Sequence, residues 1–172
     1  MMEQVELPKF DKHFVDLLLS ISETIATDKD SIRRRLHSCI EIGIKDIVQQ
    51  DYYYLTKHQT YLDTLFAPYF SEPLIYYLAV FKNITGNPSC VVRHKDVIRT
   101  CGINYYVDLG GDNVITSFYN PNKTDYHAQK DTWYLFNASK EHEVSNITST
   151  RVIFGMDLES QPTYEEVRRL LL

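Results

Sequence analysis

The second half of the chain, from about residue 74 to residue 158, is a series of short aromatic and β-branched segments separated by clusters of turn residues. Runs of this kind, bounded by glycine, proline, asparagine and serine, are typical of strands. Seven short strands at near-regular spacing indicate a sandwich or jelly roll rather than a parallel sheet with crossover helices. The predicted strands span 74–82, 90–96, 101–108, 113–119, 132–137, 142–146 and 151–158.

Several of these segments are apolar on both faces, as residues 152–156 show. A sheet that is buried on both faces needs a barrel core on one side and a second layer on the other. Residues 10–70 have the helical spacing to supply that layer. Three helices are predicted there, on apolar stripes formed by Phe10, Phe14, Leu17, Leu18, Ile21 and Ile25, by Ile32, Leu36, Ile40, Ile44 and Ile47 after a cap at Ser31, and by Tyr61, Leu62, Leu65 and Phe66 before Pro68.

The chain turns helical again at its end, where Thr163 and Glu166 have the spacing of a capping box. A C-terminal helix is therefore predicted over 163–172, and the polar region 120–131 is predicted to be a long loop. Because 172 residues are close to the size of one domain, residues 1–172 are predicted to form a single α+β domain, with helical support over 10–70.

Charge and cysteine content narrow the classes of function. Lysine and arginine number 18 against 23 aspartates and glutamates, and this net charge of −5 argues against a nucleic-acid partner. The three cysteines lack Cys-x-x-Cys spacing, which indicates a reduced intracellular chain. No apolar run approaches the roughly 18 residues of a membrane span, and the first residues lack the basic region of a signal peptide. We expect a soluble cytoplasmic protein with no membrane partner.

Two histidines and an aspartate lie on segments predicted as strands. Residues two apart on a strand share a face, so His94 and Asp96 can converge, with Val92 on the same inward face and Lys95 on the other. His142 is the single inward-facing histidine between two outward-facing glutamates. Two imidazoles and one carboxylate form the facial triad that holds non-haem Fe(II) and leaves the other coordination positions of the metal open.

An arginine follows nine residues after the second histidine. A turn after residue 146 would make the last two predicted strands a hairpin and would place Arg151 deeper in the same barrel. A buried arginine needs a partner, and its planar fork suits a carboxylate bound through two parallel hydrogen bonds. The alternative is a surface arginine paired with Glu143 across the hairpin, which would contribute little to stability.

Taken in order, His94-x-Asp96, His142 and Arg151 resemble the pattern of the 2-oxoglutarate- and Fe(II)-dependent oxygenases. The stretches RHKDVIRTCGINYY, NVITSFYN and EHEVSNITSTRVIFGMDL are similar to small phage and bacterial members, and also to the aspartyl/asparaginyl β-hydroxylase branch. The resemblance covers about residues 74–158 and leaves a phage-encoded origin open. It implies a double-stranded β-helix, which is a cupin-like jelly roll, over 74–158, with the N-terminal helices packed on its outer face.

The resemblance also implies roles for individual residues. His94, Asp96 and His142 would bind Fe(II), and Arg151 would bind the distal carboxylate of 2-oxoglutarate. The implied reaction consumes 2-oxoglutarate and O2, releases succinate and CO2, and hydroxylates a substrate.

One position departs from the family. Members often carry serine or threonine two residues after the arginine, where this chain has Ile153. A hydrogen bond to the carboxylate must then come from another residue, and Asn104 ranks first because it lies on the more polar face of its predicted strand. Arg99 would either support Asp96 from behind or contact the cosubstrate. Tyr105, Tyr106 and Tyr119 could supply the same hydrogen bond, and Tyr106 and Tyr119 are also candidates for a supporting or substrate-contacting role.

Two classes of function follow. The first is a 2-oxoglutarate- and Fe(II)-dependent oxygenase that hydroxylates an amino-acid side chain of a protein or a free small molecule. The second is a non-catalytic binding module that keeps the cupin or jelly-roll fold. The intact set of ligands favours the enzyme, because a binding module has no need of all three.

Overall fold

The computed structural model describes residues 1–24, 32–38, 47–83, 89–96 and 99–172. Strands and three α-helices account for most of this part of the chain. The strands are β1 (Met2–Val5), β2 (Ile32–Ser38), β3 (Ile47–Tyr54), β4 (Leu74–Asn83), β5 (Ser89–His94), β6 (Gly102–Leu109), β7 (Ile115–Tyr119), β8 (Lys123–Tyr126), β9 (Trp133–Phe136), β10 (Glu141–Ile147) and β11 (Arg151–Leu158). The helices are α1 (Lys12–Thr24), α2 (Gln59–Phe66) and α3 (Tyr164–Leu171).

The strands form two sheets in which the described neighbours pair antiparallel. The large sheet has seven strands in the order β1-β9-β6-β11-β4-β3-β2, and the small sheet has four in the order β5-β10-β7-β8. Consecutive strands therefore often lie in different sheets, as in a jelly roll. This confirms the predicted antiparallel jelly roll.

The large sheet is buried on both faces, as its sequence predicts. One apolar cluster contains residues of all three helices, and Phe10 anchors it with its ring 4.8 Å from Phe154 and 5.0 Å from Tyr105. A second cluster, which includes Phe118 and Phe136, lies between the two sheets. Residues of α1 and α2 thus belong to the first cluster, whereas the second cluster and the space beside it lie on the other face of the large sheet.

The N-terminal half contains one incorrect prediction. Helices α1 and α2 form where the apolar spacing predicts them, but residues 32–38 and 47–54 form strands β2 and β3, which extend the edge of the large sheet beyond β4. The predicted stripe repeats mostly every fourth residue, and a step of four fits the period of a strand as well as that of a helix. Residues 25–31 and 39–46, including Ile25 and part of the predicted second helix, lie outside the described residues.

All seven strands predicted over 74–158 are present, and their ends differ from the predicted ones by at most two residues. Sequence reasoning missed β1 and β8. The second lies in the region predicted as a long loop, because its residues KTDY, of which the first three are exposed, carry no alternation of apolar and polar side chains. No described helix has the length and apolar character that crossing a membrane requires.

Helix α3 begins with the predicted capping box. The Thr163 hydroxyl accepts the Glu166 amide at 3.3 Å, and the Glu166 carboxylate accepts the Thr163 amide at 2.7 Å. We expect Thr163→Ala to lower the free energy of unfolding by about 1 kcal/mol, because it leaves the Glu166 amide without its capping partner. Urea denaturation measures the change, with Thr60→Ala on the exposed face of α2 as control. An unchanged midpoint for Thr163→Ala would contradict the role of the cap.

Candidate metal centre

Two neighbouring strands of the small sheet bring the histidines together. His94 at the end of β5 pairs directly with His142 on β10, and their ring centroids are 4.4 Å apart. Each ring uses Nδ1 to contact a backbone carbonyl, His94 that of Val92 at 2.6 Å and His142 that of Lys140 at 2.8 Å. A carbonyl only accepts hydrogen bonds, so Nδ1 carries the proton and the lone pair of Nε2 is left to bind a metal.

The carboxylate of Asp96 completes the group. The segment after β5 is fixed by the Asp96 amide, which donates to the carbonyl of Ala138 at 3.1 Å. Asp96 Oδ1 then lies 3.5 Å from Nε2 of His94 and 4.0 Å from Nε2 of His142. The potential ligand atoms of the three residues all lie within 4.8 Å of one another. The structure thus brings together the three residues that the sequence pattern singles out.

The pKa values of two residues in this group, His142 and Asp96, differ from their usual values. Burial lowers the pKa of His142 to about 4, so its imidazole is neutral at pH 7. Burial by itself raises the pKa of Asp96, but the neighbouring His94 and the charge of Arg99 outweigh it and hold the pKa below its usual value. A neutral imidazole and an ionised carboxylate are the forms that bind a metal cation.

A β-bulge orients His94. His94 pairs with His142, and Val91 pairs with Val144. Three residue steps along β5 therefore lie opposite two along β10, so β5 carries one extra residue between these pairs. As a result, Val91 and His94 line the same pocket, and the prediction that Val92 shares the inward face is wrong. The extra residue leaves the Val92 carbonyl in position to hold the His94 ring.

Arg151 approaches the same space from the opposite sheet. It begins β11 in the large sheet, so the predicted hairpin with the strand of His142 is wrong. The predicted alternative partner Glu143 instead accepts the Tyr119 hydroxyl at 2.7 Å on the outer face of the small sheet. The guanidinium of Arg151 lies 5.1 Å from the Tyr106 ring centre.

The buried charge of Arg151 has no counter-ion within the described part of the chain. The residue is 3% exposed, and its Nε has no hydrogen-bond partner there. No described carboxylate lies within ion-pair distance of it. Burial lowers the pKa of Arg151, as expected for a cation removed from water. Such a group is costly to bury without a partner, and an anion in the pocket would supply one.

A pocket between the sheets joins these two features. His94, Asp96 and His142 line one part of it and Arg151 another. The polar side chains that also reach its walls are Gln50, Tyr52, Tyr77, Arg99, Asn104, Tyr106 and Thr116. The pocket therefore combines a cluster of metal-ligand type with a buried cation, and its remaining walls are largely aromatic and aliphatic.

Comparisons with known proteins extend the description of the fold. No family model and no curated protein matches the sequence. Solved structures do match. A prolyl hydroxylase of Trichoplax adhaerens, in complex with a peptide fragment of hypoxia inducible factor, aligns at a TM-score of 0.60 and 12% identity over 98% of this chain and 86% of that one. The Pseudomonas putida prolyl-4-hydroxylase aligns at 0.55 and 13% over 90% of each chain.

A third match is an oxidoreductase of the 2OG-Fe(II) oxygenase family from Burkholderia pseudomallei, at a TM-score of 0.57 and 9% identity over 86% of this chain and 80% of that one. The chain has the fold of the 2-oxoglutarate- and Fe(II)-dependent oxygenases. The superfamily resemblance is thereby confirmed for the fold, while the aspartyl/asparaginyl β-hydroxylase branch stays a prediction.

Within this oxygenase fold, the secondary candidates separate into two groups. Asn104 is 6% exposed, lines the pocket and has no side-chain hydrogen-bond partner among the described residues. Tyr106 also lines the pocket, with its hydroxyl 3.5 Å from the sulfur of Met2. Tyr105 faces the helices, where its hydroxyl contacts Asp131 at 3.4 Å. Tyr119 lies outside the pocket, so the structure does not bring these last two to the site.

Gln50, Tyr52 and Thr116 are among the polar wall residues of the pocket that were not predicted from the sequence. Gln50 and Tyr52 lie on β3, and the apolar stripe read as a helix over 31–47 left that strand unrecognised. Thr116 is 2% exposed on β7 and alternates with Phe118, which contacts His142. That alternation on a correctly predicted strand was a signal that could have identified Thr116 as inward-facing.

Gly110 shapes the approach to Arg151. Its φ is 80°, and a Cβ there would lie 2.6 Å from the Cβ of Arg151. We expect Gly110→Ala to lower the free energy of unfolding by about 1–2 kcal/mol, because the left-handed conformation and the collision both oppose a side chain. Gly110→Asn separates the two causes, since asparagine tolerates this conformation but adds the same Cβ. A wild-type denaturation midpoint for Gly110→Ala would contradict this account.

Proposed function

We propose that the protein is a 2-oxoglutarate- and Fe(II)-dependent oxygenase that hydroxylates an amino-acid side chain of a protein or a small molecule. One observation carries the proposal: a His–Asp–His group and a buried arginine without a counter-ion face one pocket from opposite sheets. Two structures with the same fold are prolyl hydroxylases, one of them bound to a peptide, and this supports a protein side chain as the substrate.

The ligand chemistry fits Fe(II). His94 and His142 would each offer Nε2, and Asp96 would offer Oδ1. Two imidazoles and one carboxylate, with the remaining positions open, suit a non-haem Fe(II) that must also bind small molecules. The hydrogen bonds at both Nδ1 atoms would hold the rings in the orientation that the metal requires.

The opposite part of the pocket fits a dicarboxylate. Arg151 would bind the distal carboxylate of 2-oxoglutarate, which would satisfy the buried Nε and neutralise the guanidinium. Asn104 would supply the hydrogen bond that serine or threonine gives in family members with that residue two positions after the arginine, where this chain has Ile153. The other end of the cosubstrate would lie at the metal, so the molecule would span the pocket between the sheets.

The chain's own residues would organise the reaction. When bound, Fe(II) supplies oxidative chemistry that couples the decarboxylation of 2-oxoglutarate to succinate with hydroxylation of a substrate by O2. The two histidines and the aspartate would hold the metal from one side. Phe136 and Phe118 pack against His142 at 4.7 and 5.8 Å between ring centres and would keep water from that side of the metal. Arg151 would fix the orientation of the cosubstrate.

Conversion of 2-oxoglutarate to succinate tests the proposal. Wild-type protein with Fe(II), a reductant and air is expected to form succinate, and candidate peptides or amino acids are expected to raise the rate. Matched reactions contain Arg151→Met, or wild-type protein with a chelator, and are expected to form much less. A protein that binds Fe(II) but yields no succinate above these controls would favour the alternative of a non-catalytic binding module.

A further inference from the structure

Arg99 contacts the carboxylate oxygen of Asp96 that does not face the histidines. Its Nε donates to Asp96 Oδ2 at 3.2 Å, whereas Oδ1 lies nearest the two imidazoles. We propose that Arg99 is a positioning residue that restricts Asp96 to one-oxygen binding of the metal. The inference rests on the proposed function, because it assigns a role within the proposed Fe(II) site.

The large sheet holds the guanidinium in place. Arg99 Nη1 contacts the Tyr77 hydroxyl on β4 and lies 3.5 Å from Asp157 Oδ1 on β11. The Tyr77 hydroxyl lies 3.4 Å from the same Asp157 oxygen, which closes a three-residue network. Arg99 therefore links a ligand that follows the small sheet to two strands of the large sheet, and it does so with a planar fork that a lysine could not reproduce.

The close fit around Arg99 indicates a fixed orientation. A Cβ at Gly102 would lie 2.8 Å from Cζ of Arg99, so the backbone of β6 passes close to the guanidinium. The ring centre of Phe136 lies 5.9 Å from Cζ on another side. The Arg99 side chain is 22% exposed, as is that of Asp96. Little space is left for either side chain to rotate.

The consequence concerns the number of open positions at the metal. A carboxylate with both oxygens free can chelate a cation through both, as calcium sites show. In an octahedral site with two histidines, chelation by Asp96 would leave two positions, whereas one-oxygen binding leaves three. Because Arg99 occupies Oδ2, it preserves the third position, which a cosubstrate that chelates through two atoms leaves for O2.

Mn(II) is a suitable probe, because water-proton relaxation reports how many water molecules it binds. Wild-type protein is expected to hold Mn(II) with three waters, and Arg99→Met with two, which lowers the relaxivity by roughly one third for an octahedral ion. The single variant leaves the charge of Asp157 without Arg99 and could misfold. The double variant Arg99→Met/Asp157→Asn avoids this, because it removes the Arg99 cation together with the carboxylate that it faces. Arg168→Met, which breaks a surface pair with Glu3, is the control and should match wild type.

Each outcome is decisive. Fewer bound waters in a folded Arg99 variant that retains Mn(II) support the inference, whereas loss of Mn(II) from both Arg99 variants would overturn it. Three waters and wild-type Mn(II) affinity in both Arg99 variants would overturn the inference and leave the proposed function intact. Failure of the wild-type protein to bind Mn(II) or Fe(II) would overturn both.

Discussion

Asp96→Ala is expected to remove Fe(II) from the protein while leaving the fold intact. The substitution deletes one of three proposed ligands, and loss of even a supporting contact at a metal site costs about 10- to 100-fold in affinity, so we expect a loss of at least about 100-fold. The Asp96 side chain is 22% exposed and belongs to neither apolar cluster, so its loss removes no core volume. Arg99 keeps its contacts with Tyr77 and Asp157.

Metal content after anaerobic loading with Fe(II) and desalting measures this effect. Asp112→Ala is the matched control, because Asp112 is exposed and has no ion pair among the described residues. The urea denaturation midpoints of the metal-free proteins show whether the fold survives. If Asp96→Ala retained Fe(II) as wild type does, the assignment of the ligand set would be wrong.

Substitution of Arg151 is expected to weaken 2-oxoglutarate binding far more than Fe(II) binding. Arg151→Lys keeps the charge but loses the bidentate fork, at a cost of about 1.5–3 kcal/mol, or roughly a ten- to hundredfold rise in Kd. Arg151→Met keeps most of the stem but removes the charge. Leaving the distal carboxylate unpaired in a buried site costs about 2–5 kcal/mol, which corresponds to a roughly thirty- to several-thousandfold rise in the Kd of 2-oxoglutarate.

Calorimetric titration of 2-oxoglutarate into the anaerobic Fe(II) proteins measures these changes. Arg168→Met, a surface arginine paired with Glu3, controls for the general effect of removing a positive charge. The unfolding free energy gives a second check, because Arg151→Met relieves a buried charge without a counter-ion and should not destabilise the ligand-free protein by the amount expected for a structural ion pair. Equal affinity in all four proteins would show that Arg151 is structural.

The elements that were predicted correctly from the sequence are those in which the pattern of apolar residues fits either a strand or a helix, but not both. Strands β4 to β7 and β9 to β11 are aromatic and β-branched runs between turn residues, and helices α1 and α2 carry stripes at steps of three and four. The helix prediction is wrong at residues 32–38 and at Ile47 because a step of four residues is compatible with the period of a strand as well as that of a helix. The choice then depended on the open edge of β4, a tertiary feature that local spacing does not contain.

The group of His94, Asp96 and His142 could be predicted because the residue types and their order along the chain both indicate a metal site. The geometry of the site could not be predicted. The connection of residues 148–150 carries the chain from the small sheet to the large one, so His142 and Arg151 face each other across the pocket and not along a hairpin. Because of the β-bulge, Val91 and not Val92 faces the pocket. This bulge is a property of the pairing between β5 and β10, which the sequence of a single strand does not specify.

Anaerobic titration of 2-oxoglutarate into the wild-type Fe(II) protein tests the central claim most directly. A 2-oxo acid that chelates Fe(II) through its keto oxygen and carboxylate gives a metal-to-ligand charge-transfer band in the visible. We predict that this band appears, saturates at one equivalent of 2-oxoglutarate, and is absent when succinate replaces it. A protein that binds Fe(II) at His94, Asp96 and His142 but develops no such band would contradict the assignment of the pocket to 2-oxoglutarate.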